Sequence, residues 1–197
     1  MTVLRVRELP FPPVDMREAL RYAGHRGGAP EASVLRLLEE CASEALPRLT
    51  YRVAYREMSL PLVGNALAPS DRAAIEERLA GCRSAVLFAA TVGVEMDRLI
   101  TRYSRIKPTK ALLLDALGSE RIEALCDAFC AELASEKRAE GLAITPRFSP
   151  GYGKPELSAQ RELIALLDAP RSIGLTLNES LLMSPTKSVT AIFGLEE

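Results

Sequence analysis

Residues 147–153 read Arg147-Phe148-Ser149-Pro150-Gly151-Tyr152-Gly153, and the reading of the whole chain turns on them. Arginine stays charged, and its planar fork matches a carboxylate through two parallel hydrogen bonds. Gly151 and Gly153 open backbone angles closed to other residues and let a ligand approach the main chain. Pro150 fixes its own φ and removes a donor, which stiffens the turn. Tyr152 combines an apolar ring face with a polar tip, suited to a ribose, an adenine edge or a sulfonium. The run by itself also reads as a Pro-Gly surface turn after a strand. Upstream lies a helix with an acidic flank around Asp127. Downstream come Leu177-Asn178-Glu179-Ser180, then Met183-Ser184-Pro185 and Ser188-Val189-Thr190. In that order the segments suggest a small-molecule site for a zwitterionic ligand.

The elements on either side follow from periodicity and caps. The spacing predicts a long helix over 109–139, because Ile122, Leu125, Cys126, Phe129, Cys130 and Leu133 recur at i, i+3, i+4, i+7, i+8 and i+11. Glu123 and Asp127 lie one turn apart beside that stripe, either as a solvated acidic edge or as part of the site. Strand 142–147 leads into the glycine turn. Ser158 is placed as the cap of a helix reaching Asp168, with strands over 172–177 and 187–193. Nearer the start, residues 1–14 read as a Pro-rich extended arm. Asp15 caps a short helix to Gly24. A helix spans 31–46, a strand 51–60, and a helix capped by Ser70 runs to Ala80. Ser84–Thr91 is a central strand, apolar on both faces, and a helix over 94–105 follows. Pro61–Ala68 is the loosest loop. Helices before, between and after several strands predict an α+β fold rather than a regular βαβ series.

Composition narrows the function classes. A chain of 197 residues, 48% hydrophobic, can bury one sizeable core. A net charge of −1 gives no electrostatic case for nucleic acid. No apolar run reaches the roughly 20 residues that span a bilayer, and Met1–Leu9 has no secretory pattern. The expected setting is cytoplasmic, without membrane or nucleic-acid partners. Cys126 and Cys130 share a helix face, where a disulfide does not fit, and read as small buried hydrophobes. No metal site is predicted, since there is no C-x-x-C and only one histidine, His25. That histidine sits in Gly24-His25-Arg26-Gly27-Gly28, which is either an anion-binding turn or a helix C-terminus; the Gly and the cation favour the cap.

The ordered segments RFSPGYG, the amphipathic stretch Ser158–Leu167 and IGLTLNESLLMSPTKSVTAIFG (residues 173–194) resemble the activation domain of cobalamin-dependent methionine synthase. Ala90-Thr91-Val92-Gly93 and Leu113–Ser119 are similar to earlier segments of that family, and Asp15–Gly27 to its free-standing version. The resemblance implies a curved, mostly antiparallel sheet with helices packed around it. It implies an arm over 1–14 and one activation-type domain over 15–197, with a helical part over 15–81 and an S-adenosylmethionine-binding part over 84–193.

Carried over by position, Arg147 matches the family's ligand-binding arginine, and Ser149 and Gly151 match turn residues against the nucleoside. Tyr152 matches the tyrosine beside the ligand, and Asp127 falls where the family has a glutamate. No residue is assigned a catalytic or metal role. Two features of the family are not matched: a tyrosine beyond the last strand, which is not reached before Glu197, and an N-terminal aspartate at the ligand.

The resemblance implies a positioning role. S-adenosylmethionine is held over a corrin whose Co(I) has oxidised to inactive Co(II), an electron arrives from flavodoxin or another reductase, and the methyl group is transferred. Cobalamin enters only through the partner, a methionine synthase lacking its own activation domain. The alternative is a scaffold that keeps the fold and partner surface without the ligand. A third reading, an unrelated methyltransferase using S-adenosylmethionine, has no glycine-rich strand–turn–helix motif behind it.

Overall fold

Apolar central strands, buried on both faces and flanked by amphipathic helices, build a curved antiparallel sheet. The computed structural model describes residues 3–63 and 67–197. The first half comprises β1 (Arg5–Glu8), α1 (Met16–Tyr22), α2 (Ala32–Ala45), β2 (Arg52–Ser59), α3 (Pro69–Arg78) and β3 (Ser84–Thr91). Next come α4 (Glu95–Ser104), the long α5 (Pro108–Ala139) and β4 (Ala143–Ile144). The chain continues with α6 (Gln160–Leu166), α7 (Ala169–Ser172), β5 (Thr176–Leu177), β6 (Met183–Ser184) and β7 (Ser188–Glu196). The main sheet has the order β1-β2-β3-β7-β4, and each pairing in it is antiparallel. This is the α+β, mostly antiparallel architecture expected from the sequence.

The side-chain period of two sorts the core into two faces. On β3, Val86, Phe88 and Ala90 enter the large cluster with α2 and α5, whereas Ala85, Leu87 and Ala89 face smaller clusters under α3, α6 and α7. Every residue of β3 is buried, which explains why its sequence is apolar without alternation. Phe129, from the stripe on α5, packs its ring 5.1 Å from those of both Phe88 and Tyr55. Truncating such a buried ring to Ala costs about 3–5 kcal/mol. Thus α5 is clamped to the sheet, and its residues 123 and 127 are fixed relative to β7.

The N-terminal segment is tied down by a buried charge pair. Arg121, fully buried, contacts Glu120 and donates to the carbonyls of Pro12 at 2.6 Å and Pro13 at 2.8 Å. Glu120 also accepts the Asp15 N–H at 3.0 Å. Residues 5–8 of the expected arm form the edge strand β1, whose Arg7 pairs with Glu132 and Glu136 of α5 at 2.9 and 2.7 Å. Charged side chains on a short edge strand discourage further pairing.

Local chemistry explains most boundaries. Asp15 caps α1, accepting from Arg17 and Glu18 N–H groups. At the other end of α1, Gly24 N–H bonds to Arg21 O and His25 N–H to Leu20 O, both at 3.0 Å. This is a Schellman cap with Gly24 at φ +92°, so His25 belongs to a helix end.

Other expectations need correction. Ser70 is not a cap, because Pro69 occupies the first turn of α3 and Ala68 precedes it. Ser158 does not cap α6 either; it lies in a 3-10 turn, Leu157–Ala159, that leads into the helix. Strand 142–147 shrinks to β4 plus an isolated bridge between Phe148 and Ile192. Of the strand expected at 172–177, Ser172 ends α7 and residues 173–175 form a turn and irregular link, leaving Thr176–Leu177 to pair with β6 in a separate hairpin. The loop expected at Pro61–Ala68 falls partly on residues 64–66, outside the described residues. Among the described residues no helix is long and apolar enough to cross a membrane.

Candidate functional site

The glycine turn leaves the sheet beside β7 and folds back towards α6. Gly151 and Gly153 both take φ +91°, where a side chain would cost about 1–2 kcal/mol. Gly151 N–H donates to Pro155 O at 3.0 Å, closing the turn. A Cβ on Gly151 would sit 2.9 Å from Leu157 Cδ1, so the turn packs directly on the approach to α6. Both glycines are therefore used for backbone shape, as their positions in the sequence suggested.

A cavity of about 410 Å³ opens between this turn, α5, α6 and β7. Glu123 and Arg147 supply its charged wall, and Ser149, Pro150 and Tyr152 line it from the turn. Leu157 and Gln160 close the α6 side; Met183 of β6 and the first residues of β7 complete it. Its size falls in the ordinary range for small-molecule sites. Tyr152 is 81% exposed, so it stands at the mouth.

Arg147 Nη2 donates to Glu123 Oε2 and to Asp127 Oδ1, each at 2.8 Å. Burial pulls the guanidinium pKa down, but hydrogen bonds to Asp127 and Glu123 outweigh it, and the net shift is upward. Arg147 therefore stays cationic at every relevant pH. The two acids are not equivalent. Glu123 lines both the cavity and a recess near Pro12 and Pro13, while Asp127, one turn along α5, lines only the recess. One cation against two carboxylates leaves the cluster with a formal charge of −1.

Arg147, Ser149 and Tyr152, singled out in the sequence, meet in the cavity wall. Gly151 shapes the turn behind it, and Asp127 reaches it only through Arg147. Sequence reasoning passed over Gln160 and Leu157, and left Glu123 open between a solvated acidic edge and the site. The i, i+4 spacing of Glu123 and Asp127 was visible; which one faces the cavity depends on the rotation of α5 against the sheet.

A family model described as the vitamin B12 dependent methionine synthase activation domain matches residues 75–196. The chain belongs to this activation-domain family. A solved structure of the MetH reactivation domain bound to AdoHcy superposes with a TM-score of 0.72 at 17% sequence identity, covering 98% of this chain and 78% of that one. At that identity the likeness shows the shared fold. No curated protein matched the sequence. In this activation domain the family match begins within α3 and ends at the last residue of β7, so it contains the whole cavity wall.

Proposed function

We propose that this activation domain binds S-adenosylmethionine in the cleft between α5, the glycine turn and α6. The ligand's carboxylate meets the Arg147 fork, and its α-amino group meets Glu123. Ser149 and Gly151 present backbone to the nucleoside, and Tyr152 offers its ring at the mouth. The opposed Arg147–Glu123 pair inside a ligand-sized cavity carries the reading, because a zwitterion needs both signs side by side. The cluster's charge of −1 also complements S-adenosylmethionine, whose sulfonium leaves it net positive. The related reactivation domain binds AdoHcy, the product of the same ligand, which supports the assignment.

Membership of the family supports a wider role. The domain serves reductive remethylation of Co(II) cobalamin on a methionine synthase supplied as a separate chain, in the cytoplasm. The corrin supplies the metal chemistry; one electron comes from flavodoxin or another reductase, the methyl group leaves as a cation equivalent, and S-adenosylhomocysteine remains. The chain's own residues contribute position, which is worth a large rate factor when the reacting atoms are held in line. The docking face lies around Gly151–Gly153 and Leu177–Pro185, where Tyr152 and Leu182 are exposed.

One observation favours a second reading, a scaffold that keeps the fold without the ligand: Arg147 already has two carboxylate partners. Titration calorimetry with S-adenosylmethionine separates the two. Saturable one-to-one binding supports the first reading; no heat and no thermal stabilisation would leave the scaffold.

A further inference from the structure

The cavity holds one polar group that the charge pair does not use. Gln160, the first residue of α6, lines the cavity and is only 6% exposed. Its side-chain oxygen Oε1 has no hydrogen-bond partner among the described residues. Buried side-chain polar atoms are nearly always paired, and an unpaired one costs about 1–3 kcal/mol. A neutral carboxamide cannot compete with Arg147 or Glu123 for the charged end of a zwitterion. What it offers is a buried, unpaired acceptor in the wall that also carries the apolar Leu157 and Pro150. A flat, largely apolar group carrying an N–H donor satisfies both.

We propose that Gln160 is the specificity-determining residue for the base: its amide oxygen accepts a hydrogen bond from the exocyclic amine of adenine. The inference rests on the reading of the cleft as an S-adenosyl site. The pairing is chemically ordinary, since glutamine reads adenine in DNA through the same amine, accepting with its oxygen and donating with its amide N–H to N7. Ribose hydroxyls are the other neutral donors of the ligand, and the test distinguishes them.

Calorimetry should compare S-adenosylhomocysteine with S-inosylhomocysteine, in which a carbonyl replaces the amine and nothing else on the sugar or amino acid changes. Wild-type protein should prefer the adenosyl ligand by about tenfold. Gln160→Met keeps length and helix compatibility but removes the acceptor. It should bind the adenosyl ligand about three- to tenfold more weakly and the inosyl ligand as before, so the preference collapses. A purely structural Gln160 would shift both ligands together, and a ribose contact would weaken both equally; either result overturns the proposal. So does a wild type without preference, a comparison that needs no variant to fold. Binding of S-adenosylhomocysteine by wild type with no base preference removes only the Gln160 assignment. Binding of neither ligand removes the S-adenosyl reading of the cleft, and this inference with it.

Discussion

Arg147 Nη2 lies 2.8 Å from Glu123 Oε2, joining the start of the glycine turn to the middle of α5. The bond crosses between two parts of the fold that are otherwise positioned independently, the turn by β7 and the helix by its apolar stripe. It brings a fixed cation and a carboxylate to one wall of the cavity. The pair is about a quarter exposed on the arginine and 40% on the glutamate, so its own contribution to stability is small. In the proposed site its role is recognition.

Arg147→Ala should weaken S-adenosylmethionine binding by about 1.5–3 kcal/mol, the range for a hydrogen bond to a charged group. Arg147→Lys should recover little, because a point charge cannot reproduce the fork. Calorimetry giving the same affinity for wild type and Arg147→Ala would take Arg147 out of the site.

The two acids that hold Arg147 should respond differently. Glu123→Gln should weaken the ligand by about tenfold or more, since Glu123 faces the cavity. Asp127→Asn should change affinity by less than about threefold, because its side chain is 74% exposed and reaches the ligand only through Arg147. Equal losses in the two variants would show that Asp127 touches the ligand directly.

Gly151→Ala should lower stability by about 1–2 kcal/mol through its positive φ, read as a lower midpoint in chemical denaturation. Leu157 must also shift to admit the new methyl, so ligand affinity should fall as well. An unchanged denaturation midpoint would mean that the turn does not hold its left-handed conformation.

The thiols of α5 set a further test. Burial pushes Cys130 up to about 11 from an ordinary value of 9.0, and burial pushes the fully buried Cys126 higher still. A raised thiol pKa means that the folded state keeps its proton where the unfolded chain loses it. The stabilising contribution is therefore complete below 9 and is lost as pH rises towards 11. Denaturation midpoints should fall across that window, and Cys130→Ser should flatten the slope. Rapid thiol labelling of Cys126 in the native state would contradict its burial.

Much of this was legible in the residues. The unbroken apolar run Ala85–Ala90 and the stripe from Ile122 to Leu133 are dictated by burial, and the structure uses both as written. Asp15 caps its helix as expected, its side chain accepting from the Arg17 and Glu18 N–H groups. Ser70 and Ser158 failed as caps because neighbours won: Pro69 sets the start of α3, and a 3-10 turn precedes α6. β1 and the β5–β6 hairpin are too short to show a period. The motif residues Arg147, Ser149 and Tyr152 could be named in advance. Gln160 could not, because the burial of one carboxamide depends on how α6 packs over β3 and β7.

The central claim is activation of a corrinoid methionine synthase, and formation of methylcobalamin tests it most directly. The assay combines this protein, a synthase holding Co(II) cobalamin but lacking its own activation domain, S-adenosylmethionine and a one-electron reductant. Methylcobalamin should appear, followed by its absorbance, at a rate that depends on this protein and drops with Arg147→Ala. Equal rates with and without the protein would contradict the account.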